Sequence, residues 1–412
     1  MKNKNANQLF WSKFIKTNWE IKFAHLKQTQ LPILQINADI IFQWLVKYSD
    51  HCRKTKSNVG LKFFIDGESQ YQNEVLQALP EKSDKSLVGY NKRMTRLFPD
   101  YCLVCDELIQ VSGPQWKTLG EFVNELYNYV GIPNRPAEIG LYLGNYKKTP
   151  FGVHVDGCGV LSIPVVGTKK FRIWKPSYVK KNPDLEMAFD YQHHLKSSSL
   201  ITAKPGDLVY WPSSAWHIAE SDGSFSATWS LGLWVDQPFS EILLQTTESV
   251  LLDKIDSIKN RKYIAQKKKN SFGQVEKLPD LLSKSVNQLK SITANELSDA
   301  FMKHWLRVQS KNGFKSALIP DLKLKLSSHD LIRGDDKNPL PWAQLKSGKL
   351  CVANHGELIE MHKSQKNLAF VKLLNSGKSF QISIALKNHP QRKEIFKILT
   401  ALYQSHQITK TA

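Results

Sequence analysis

The sequence is poor in cysteine, and the few cysteines do not form an obvious disulfide framework. They are odd in number and scattered, at Cys52, Cys102, Cys105, Cys158 and Cys351. Small disulfide-stabilised secreted domains use even numbers of cysteines at regular spacings. We therefore expect a reducing, cytoplasmic location. Cys102 and Cys105 lie in an apolar segment without a second pair at zinc-finger spacing, which favours buried structural thiols over a zinc or redox site.

Long apolar runs are also missing. No stretch approaches the roughly 20 apolar residues that a membrane helix needs, and residues 1–8 are polar, unlike a signal peptide. We expect a protein that does not enter a membrane. Because the chain has 412 residues of which 41% are hydrophobic, it can bury cores in two or three domains, and general disorder is not expected.

The positive charge is concentrated in the C-terminal part. Residues 251–412 carry 29 Lys/Arg and 13 Asp/Glu, net +16, whereas residues 1–250 carry 28 and 24, net +4. Such an excess of cations favours an anionic partner, such as nucleic acid, the ribosome or an acidic peptide. A solvated basic surface that only aids solubility is the alternative.

Apolar periodicity predicts helices before a β-rich centre. Aromatic and apolar residues recur at helical intervals over residues 10–27, 38–48 and 116–130. Short β-rich runs separated by Gly and Pro follow, at residues 139–143, 160–166, 170–174, 207–211 and 227–234. Many short strands joined by turns are typical of a barrel or jelly roll. A polar insertion at residues 177–200 interrupts these runs and is a natural place for a lid.

The rest of the chain predicts a second helical region and a small mixed module. A helix is expected at 241–257, followed by a basic run at 261–269 and helical stretches to about residue 309. The pattern of the C-terminal residues predicts a hairpin, a helix, a strand and a helix, at residues 350–361, 364–374, 380–386 and 391–405. That order resembles a winged helix. We expect an α+β protein of three domains, residues 1–236, 237–310 and 311–412.

The strongest functional signal is the pair His154 and Asp156, in the extended segment FGVHVD. Side chains two residues apart on a strand project to one face, so both can reach the same ion. The segment PGDLVYWP leads to His217, which lies about sixty residues after Asp156 and supplies a second imidazole. Two imidazoles and one carboxylate leave three positions open, as a non-haem iron(II) site requires. A His-x-Asp pair alone arises often by chance, and the second segment makes the metal prediction specific.

Two longer segments carry a family resemblance. They are TPFGVHVDGCGVLSIPVVGTKKFRIWKP at residues 149–176 and KPGDLVYWPSSAWHIAES at residues 204–221. Both resemble the JmjC oxygenases, most closely the cupin-type ribosomal oxygenase branch. The resemblance implies a double-stranded β-helix (jelly-roll) core with N-terminal helices, a helical segment that forms a homodimer, and a C-terminal winged-helix-like module. It also implies iron(II), held by the two histidines and the aspartate, and the cosubstrate 2-oxoglutarate.

The resemblance further implies which residues contact the cosubstrate. Lys169 occupies the position at which the family has a basic residue that pairs with the distal carboxylate of 2-oxoglutarate. Lys170 is the adjacent alternative, because strand alternation lets only one of the two point inward. Thr228 and Ser230 lie where relatives have polar contacts to the cosubstrate, although an asparagine is common at the position of Thr228.

The activity implied is dioxygen-dependent hydroxylation of a side chain in a protein or peptide substrate, with succinate and CO2 as coproducts. Demethylation of N-methyl-lysine, as in some JmjC relatives, is one alternative. A non-catalytic cupin scaffold whose basic C-terminal region binds nucleic acid is another. A cupin enzyme that uses the metal without a keto acid is a third, and Lys169 argues against it.

Overall fold

The computed structural model describes residues 5–411 except residues 30, 32–35, 58, 107, 134, 236–238, 255–271, 273, 275–276 and 316. The described residues divide into two compact units, residues 1–236 with 312–319 and residues 237–311 with 320–412. The division into three domains stays a prediction. No helix in the described part of the chain has the length and apolar content to cross a membrane.

The α-helices are α1 (Ala6–Thr17), α2 (Ala38–Thr55), α3 (Gln72–Ala78), α4 (Leu87–Leu97), α5 (Gly113–Val130), α6 (Pro176–Val179), α7 (Phe239–Lys254), α8 (Asp280–Lys290), α9 (Ala294–Ser310), α10 (Gln365–Leu374), α11 (Ile382–Ala385) and α12 (Arg392–Gln404). The strands of the first unit are β1 (Ala24–Leu26), β2 (Leu61–Ile65), β3 (Glu68–Ser69), β4 (Tyr101–Cys105), β5 (Glu138–Asn145), β6 (Cys158–Val166), β7 (Lys169–Trp174), β8 (Ser199–Ala203), β9 (Leu208–Trp211), β10 (Trp216–Glu220) and β11 (Phe225–Trp234). Those of the second unit are β12 (Leu331–Gly334), β13 (Trp342–Gln344), β14 (Lys349–Asn354), β15 (Glu357–His362), β16 (Ser379–Gln381) and β17 (Ile408–Lys410).

The first helix is shorter than its apolar pattern predicts. A capping box starts it, because the Asn5 side chain accepts from the Gln8 backbone N–H (2.9 Å) and the Gln8 side chain accepts from the Asn5 backbone N–H (3.3 Å). The helix ends at Thr17, so the prediction is wrong for the rest of residues 10–27. The reason is tertiary: Glu20 has a positive φ of 52°, its carboxylate accepts from the Tyr210 hydroxyl (3.0 Å), and β1 pairs with β9.

The centre of the first unit is a jelly roll of two antiparallel sheets. The larger sheet has the strand order β1-β9-β6-β11-β5-β4-β2-β3, and the smaller has the order β10-β7-β8. All five predicted β-rich runs are strands, as β5, β6, β7, β9 and β11. The sequence did not reveal β1 to β4, β8 or β10 as strands.

Strand β11 shows how the sequence builds two surfaces at once. Its apolar residues Ala227, Trp229, Leu231 and Leu233 are fully buried in the main hydrophobic core. The intervening residues Thr228, Ser230, Gly232 and Trp234 line a cavity on the opposite face. Because side chains alternate along a strand, one strand closes the core and carries the polar wall of the candidate site.

The second unit contains helices followed by a small mixed module. The module has two three-stranded sheets, β16-β12-β17 and β13-β14-β15, and the core beneath them includes Ile332, Val371 and Leu399, all at most 1% exposed. The predicted hairpin and both helices are present. The predicted strand at 380–386 is wrong beyond residue 381, since Ile382 to Ala385 form helix α11. The basic run at 261–269 lies outside the described residues.

Candidate active site

The structure brings His154, Asp156 and His217 together at one end of the jelly roll. His154 and His217 form a β-bridge, in which each backbone N–H donates to the other residue's carbonyl at 3.0 and 2.8 Å. One potential ligand atom from each of the three side chains lies within 4.8 Å of the others. The three residues predicted to bind metal therefore form a cluster that could hold an ion.

The backbone sets the orientation of both imidazoles. His154 Nδ1 lies 2.9 Å from the carbonyl of Gly152, and His217 Nδ1 lies 3.1 Å from the carbonyl of Ala215. A carbonyl oxygen only accepts hydrogen bonds, so each Nδ1 must carry the proton. Each Nε2 is then the atom that can bind a metal, and the carbonyl is the outer partner that fixes the ring.

Asp156 lies between the two imidazoles. Its Oδ1 is 3.4 Å from His154 Nε2, and its Oδ2 is 3.2 Å from His217 Nε2. Burial is the largest single influence on the pKa of Asp156 and would raise it. The charges and hydrogen bonds of His217 and His154 together outweigh burial, and they lower that pKa well below its usual range. Burial lowers the pKa of His154, and the hydrogen bond and charge of Asp156 reverse this, so the pKa is raised. The carboxylate is therefore ionised and ready to bind a cation.

The course of the backbone just before His154 depends on Gly152. Its φ is +69°, and a Cβ there would lie 2.6 Å from the Met187 carbonyl oxygen. The close approach arises because Met187 N–H donates to the Val153 carbonyl (2.8 Å) and Val153 N–H donates to the Ala188 carbonyl (3.0 Å). Residues of the polar insertion thus pair with the strand segment that carries the first metal ligand. A lid function of residues 177–200 stays a prediction.

A cavity of about 160 Å³ opens at the triad between the two sheets. Polar side chains on its wall include Thr149, Ser162, Lys169, Thr228 and Ser230. Aromatic side chains on the wall are Tyr142, Phe151, Phe171, Trp211 and Trp234. The carboxylates of Asp106 and Glu138 also line it. The cavity therefore combines a potential metal site, one deeply buried cation and a partly acidic wall.

The structure distinguishes the two adjacent lysines. Lys169 is 1% exposed and lines the cavity, whereas Lys170 is only half-buried and is not part of the cavity wall. Lys169 Nζ donates to the Tyr146 hydroxyl at 2.7 Å and lies 4.0 Å from the centre of that ring. Within the described part of the chain, Lys169 forms no ion pair. Burial lowers the pKa of Lys169 to about 7, because no acidic partner among the described residues stabilises the charged form of this buried amine.

Thr228 and Ser230 both line the cavity, but their surroundings differ. Their contact with a cosubstrate stays a prediction. The Ser230 hydroxyl lies 3.0 Å from the Ser162 hydroxyl, so it has a partner. The Thr228 hydroxyl is buried and has no hydrogen-bond partner among the described residues. A buried hydroxyl without a partner costs about 1–3 kcal/mol, which makes Thr228 the better candidate for contact with a bound polar ligand.

Two residues of the site carried no recognisable signal in the sequence. Tyr146 holds the ammonium of Lys169, and its own hydroxyl stays protonated because burial raises its pKa well above the usual value. The Trp211 ring centre lies 4.6 Å from that of His217, and its indole N–H has no partner among the residues described. The strand period could have assigned Trp211 to a face, whereas the Tyr146 contact requires the folded structure.

Residues 128–239 match the family model described as the JmjC domain. The stretch is therefore similar to the JmjC domain. It contains all three residues of the metal cluster together with Lys169, Thr228 and Ser230. Searching the curated proteins yields no match to the chain.

Solved structures similar to this chain include a ribosomal oxygenase, YcfD, from Escherichia coli. Its complex with cobalt and succinic acid has a TM-score of 0.50 and 14% identity, over 98% of each chain. Its complex with cobalt and 2-oxoglutarate has a TM-score of 0.49 and 14% identity, also over 98% of each chain. At such identities the likeness concerns the fold alone. The predicted JmjC/cupin fold is confirmed.

Proposed function

We propose that the protein is an iron(II)- and 2-oxoglutarate-dependent dioxygenase that hydroxylates a side chain of a protein or peptide. One observation supports this above the others: a His-Asp-His cluster and a buried lysine without an acidic partner line the same cavity. A metal site alone would fit many cupin enzymes. The unmatched cation beside it favours an anionic cosubstrate.

The donor set fits iron(II). Two Nε2 atoms and one carboxylate form the two-histidine, one-carboxylate arrangement that leaves positions open for further ligands. His154 and His217 are oriented by backbone carbonyls, and Asp156 is ionised, so a bound ion would replace the present contacts between Asp156 and the two Nε2 atoms. Iron(II) held by these three residues would supply the oxidising power, with dioxygen as the oxidant and 2-oxoglutarate converted to succinate and CO2.

Other residues of the cavity wall fit a dicarboxylate. Lys169 would pair with one carboxylate, Tyr146 would hold the ammonium in place, and the Thr228 hydroxyl would gain the hydrogen bond that it lacks. Each contact offsets a cost present in the cosubstrate-free protein, because buried unpaired charges and hydroxyls are unfavourable. The fold itself is that of the E. coli ribosomal oxygenase that binds cobalt and succinic acid.

The acidic wall supports a substrate with a cationic side chain. Asp106 and Glu138 line the cavity, and their present partners, Lys62 at 3.1 Å and Lys315 at 3.3 Å, are more than half exposed. Exposed ion pairs contribute only about 0–1 kcal/mol, so a substrate cation can replace them at small cost. Protein or peptide lysine and arginine side chains have the required charge.

Demethylation of N-methyl-lysine is the second candidate, because aromatic rings also line the cavity. Tyr142, Phe151 and Trp234 could contact a methylated ammonium as an aromatic cage does. Product analysis separates the two reactions. Hydroxylation adds one oxygen to the peptide, whereas demethylation removes a methyl group as formaldehyde.

The decisive test is anaerobic titration of the purified protein with iron(II) and 2-oxoglutarate, followed by the visible charge-transfer absorption of the chelated metal. We expect the band in the wild type and in Lys170→Ala, its loss in His154→Ala, and a much higher 2-oxoglutarate requirement in Lys169→Ala. Absence of the band in the iron-loaded wild type would remove the keto acid from the proposal. The cupin enzymes that use no keto acid would then be pursued.

Three further parts of the proposal concern the whole chain. A homodimer through the helical segment is supported by exposed apolar residues there, including Leu244 (68%), Leu252 (58%) and Trp305 (46%). A winged-helix character of the C-terminal module is supported by the order of its hairpin and helices. A cytoplasmic location is supported by the five cysteines, which are all buried and free.

A further inference from the structure

Charge is segregated within the C-terminal module. Residues 320–362 carry six Lys/Arg and six Asp/Glu, net 0, whereas residues 363–412 carry nine Lys/Arg and one Asp/Glu, net +8. The single acid of the second stretch is Glu394. An even distribution would serve solubility equally well, so the segregation points to a surface with a binding role.

The fold gathers part of this charge at one place. Lys366 Nζ donates to the Asn388 carbonyl at 2.9 Å, which joins the start of α10 to the loop after α11. The Asn367 side chain donates to the Gln391 side chain at 2.9 Å, which joins the same turn of α10 to the start of α12. Three chain segments therefore meet, and they bring together the basic cluster, defined as Lys363, Lys366, Lys387, Arg392 and Lys393.

The basic cluster is exposed and chemically uniform. All five of its side chains are exposed, and none forms an ion pair within the described part of the chain. Over the described residues 363–397, Ile384 is the one large hydrophobic side chain that is strongly exposed. The surface therefore offers charge without an apolar centre.

These features favour a phosphate backbone over a protein partner. Protein interfaces are depleted in lysine and bury an apolar core with aromatic anchors, and the basic cluster has the opposite composition. Lysine acts as a point charge on phosphates, and such contacts position a nucleic acid without reading its bases. Double-helical RNA is recognised mainly in this way, through its shape and its phosphates.

We infer that the basic cluster binds the phosphate backbone of double-helical RNA without base specificity. The choice of RNA rests on the proposed function together with the ribosome, one of the anionic partners that the basic C-terminal charge favours, because a ribosomal protein substrate is embedded in folded RNA. The binding itself needs neither metal nor cosubstrate. Its failure can therefore be told apart from failure of the proposed oxygenase activity.

The test is fluorescence anisotropy of a labelled 20-base-pair RNA duplex with the full-length protein, without iron or 2-oxoglutarate, over a range of salt concentrations. The test variant is Lys363→Gln/Lys387→Gln/Lys393→Gln. The matched control is Lys323→Gln/Lys325→Gln/Lys337→Gln, which removes the same charge from exposed lysines in the neutral half of the module. A Lys363→Arg/Lys387→Arg/Lys393→Arg variant keeps the charge at the cluster and guards against a folding effect.

We expect the wild type, the control and the arginine variant to bind alike. The glutamine variant should bind about tenfold more weakly, and its slope of log Kd against log salt should be lower by about 2 to 3, one for each lost phosphate contact. Equal loss in the test and control variants would overturn the inference. So would equal competition by polyglutamate, which would indicate an acidic protein partner, or tighter binding of a DNA duplex of the same sequence.

Discussion

Replacing Lys169 with methionine should stabilise the cosubstrate-free protein and at the same time remove its response to 2-oxoglutarate. Methionine has a similar length and carries no charge, so it fills the space without the desolvated ammonium. Burial lowers the pKa of Lys169 from 10.5 to about 7. At about 1.4 kcal/mol per pKa unit, keeping this lysine charged in the folded protein costs on the order of 5 kcal/mol.

The sign of the pH dependence follows from the lowered pKa. Between pH 7 and about 10 the unfolded chain keeps the Lys169 proton while the folded protein releases it. The unfolded state therefore binds more protons in this window, and the stability of the wild type rises with pH relative to Lys169→Met. The advantage of Lys169→Met should be largest below pH 7 and should shrink toward pH 10.

Cosubstrate binding should weaken as the pH rises, whereas the stability of the cosubstrate-free protein increases. A dicarboxylate pairs with the charged form of Lys169, so the Kd for 2-oxoglutarate should rise by about tenfold per pH unit above 7, with uptake of one proton on binding. Urea denaturation from pH 6.5 to 9.5, with and without 2-oxoglutarate, measures both effects. Lys170→Met is the control, because that side chain lies outside the cavity wall. The reasoning is refuted if Lys169→Met and Lys170→Met change stability by the same amount at every pH.

The remaining predictions test other parts of the site and of the assembly. Gly152→Ala should destabilise the protein by about 1–3 kcal/mol more than Gly131→Ala in urea denaturation. Both glycines have positive φ, but only at Gly152 would the added Cβ lie 2.6 Å from a carbonyl oxygen, that of Met187. Equal effects of the two substitutions would discount the contact with Met187. Asp106→Asn should raise the KM for a peptide with a cationic target side chain by about fivefold, which corresponds to a loss of about 1 kcal/mol of binding free energy. Asp100→Asn is the control and should leave the KM unchanged, because Asp100 lies outside the cavity wall. An unchanged KM in Asp106→Asn would remove Asp106 from substrate recognition. Analytical ultracentrifugation at micromolar concentration should show a dimer that Leu244→Arg weakens, and a monomeric wild type would contradict the proposed dimer.

The sequence alone predicted the candidate metal residues, from one local pair and from a second segment that leads to His217. His154 and Asp156 lie two residues apart in an extended segment, and the strand period alone places their side chains on one face. The strands β5, β6, β7, β9 and β11 were likewise predictable from short apolar runs between turns. Helices α2 and α5 follow from apolar residues at helical spacing.

Only the tertiary structure decided the features that depend on distant partners. Because side chains alternate along β7, Lys169 and Lys170 must face opposite ways. The alternation does not decide which of them faces the cavity. The Lys169–Tyr146 contact joins β7 to the residue that follows β5. The pairing of β1 with β9 ends a helix that its own apolar pattern would continue. The periodicity of a sequence shows which side chains share one face of a strand or helix. The pairing of distant strands decides which other residues that face contacts.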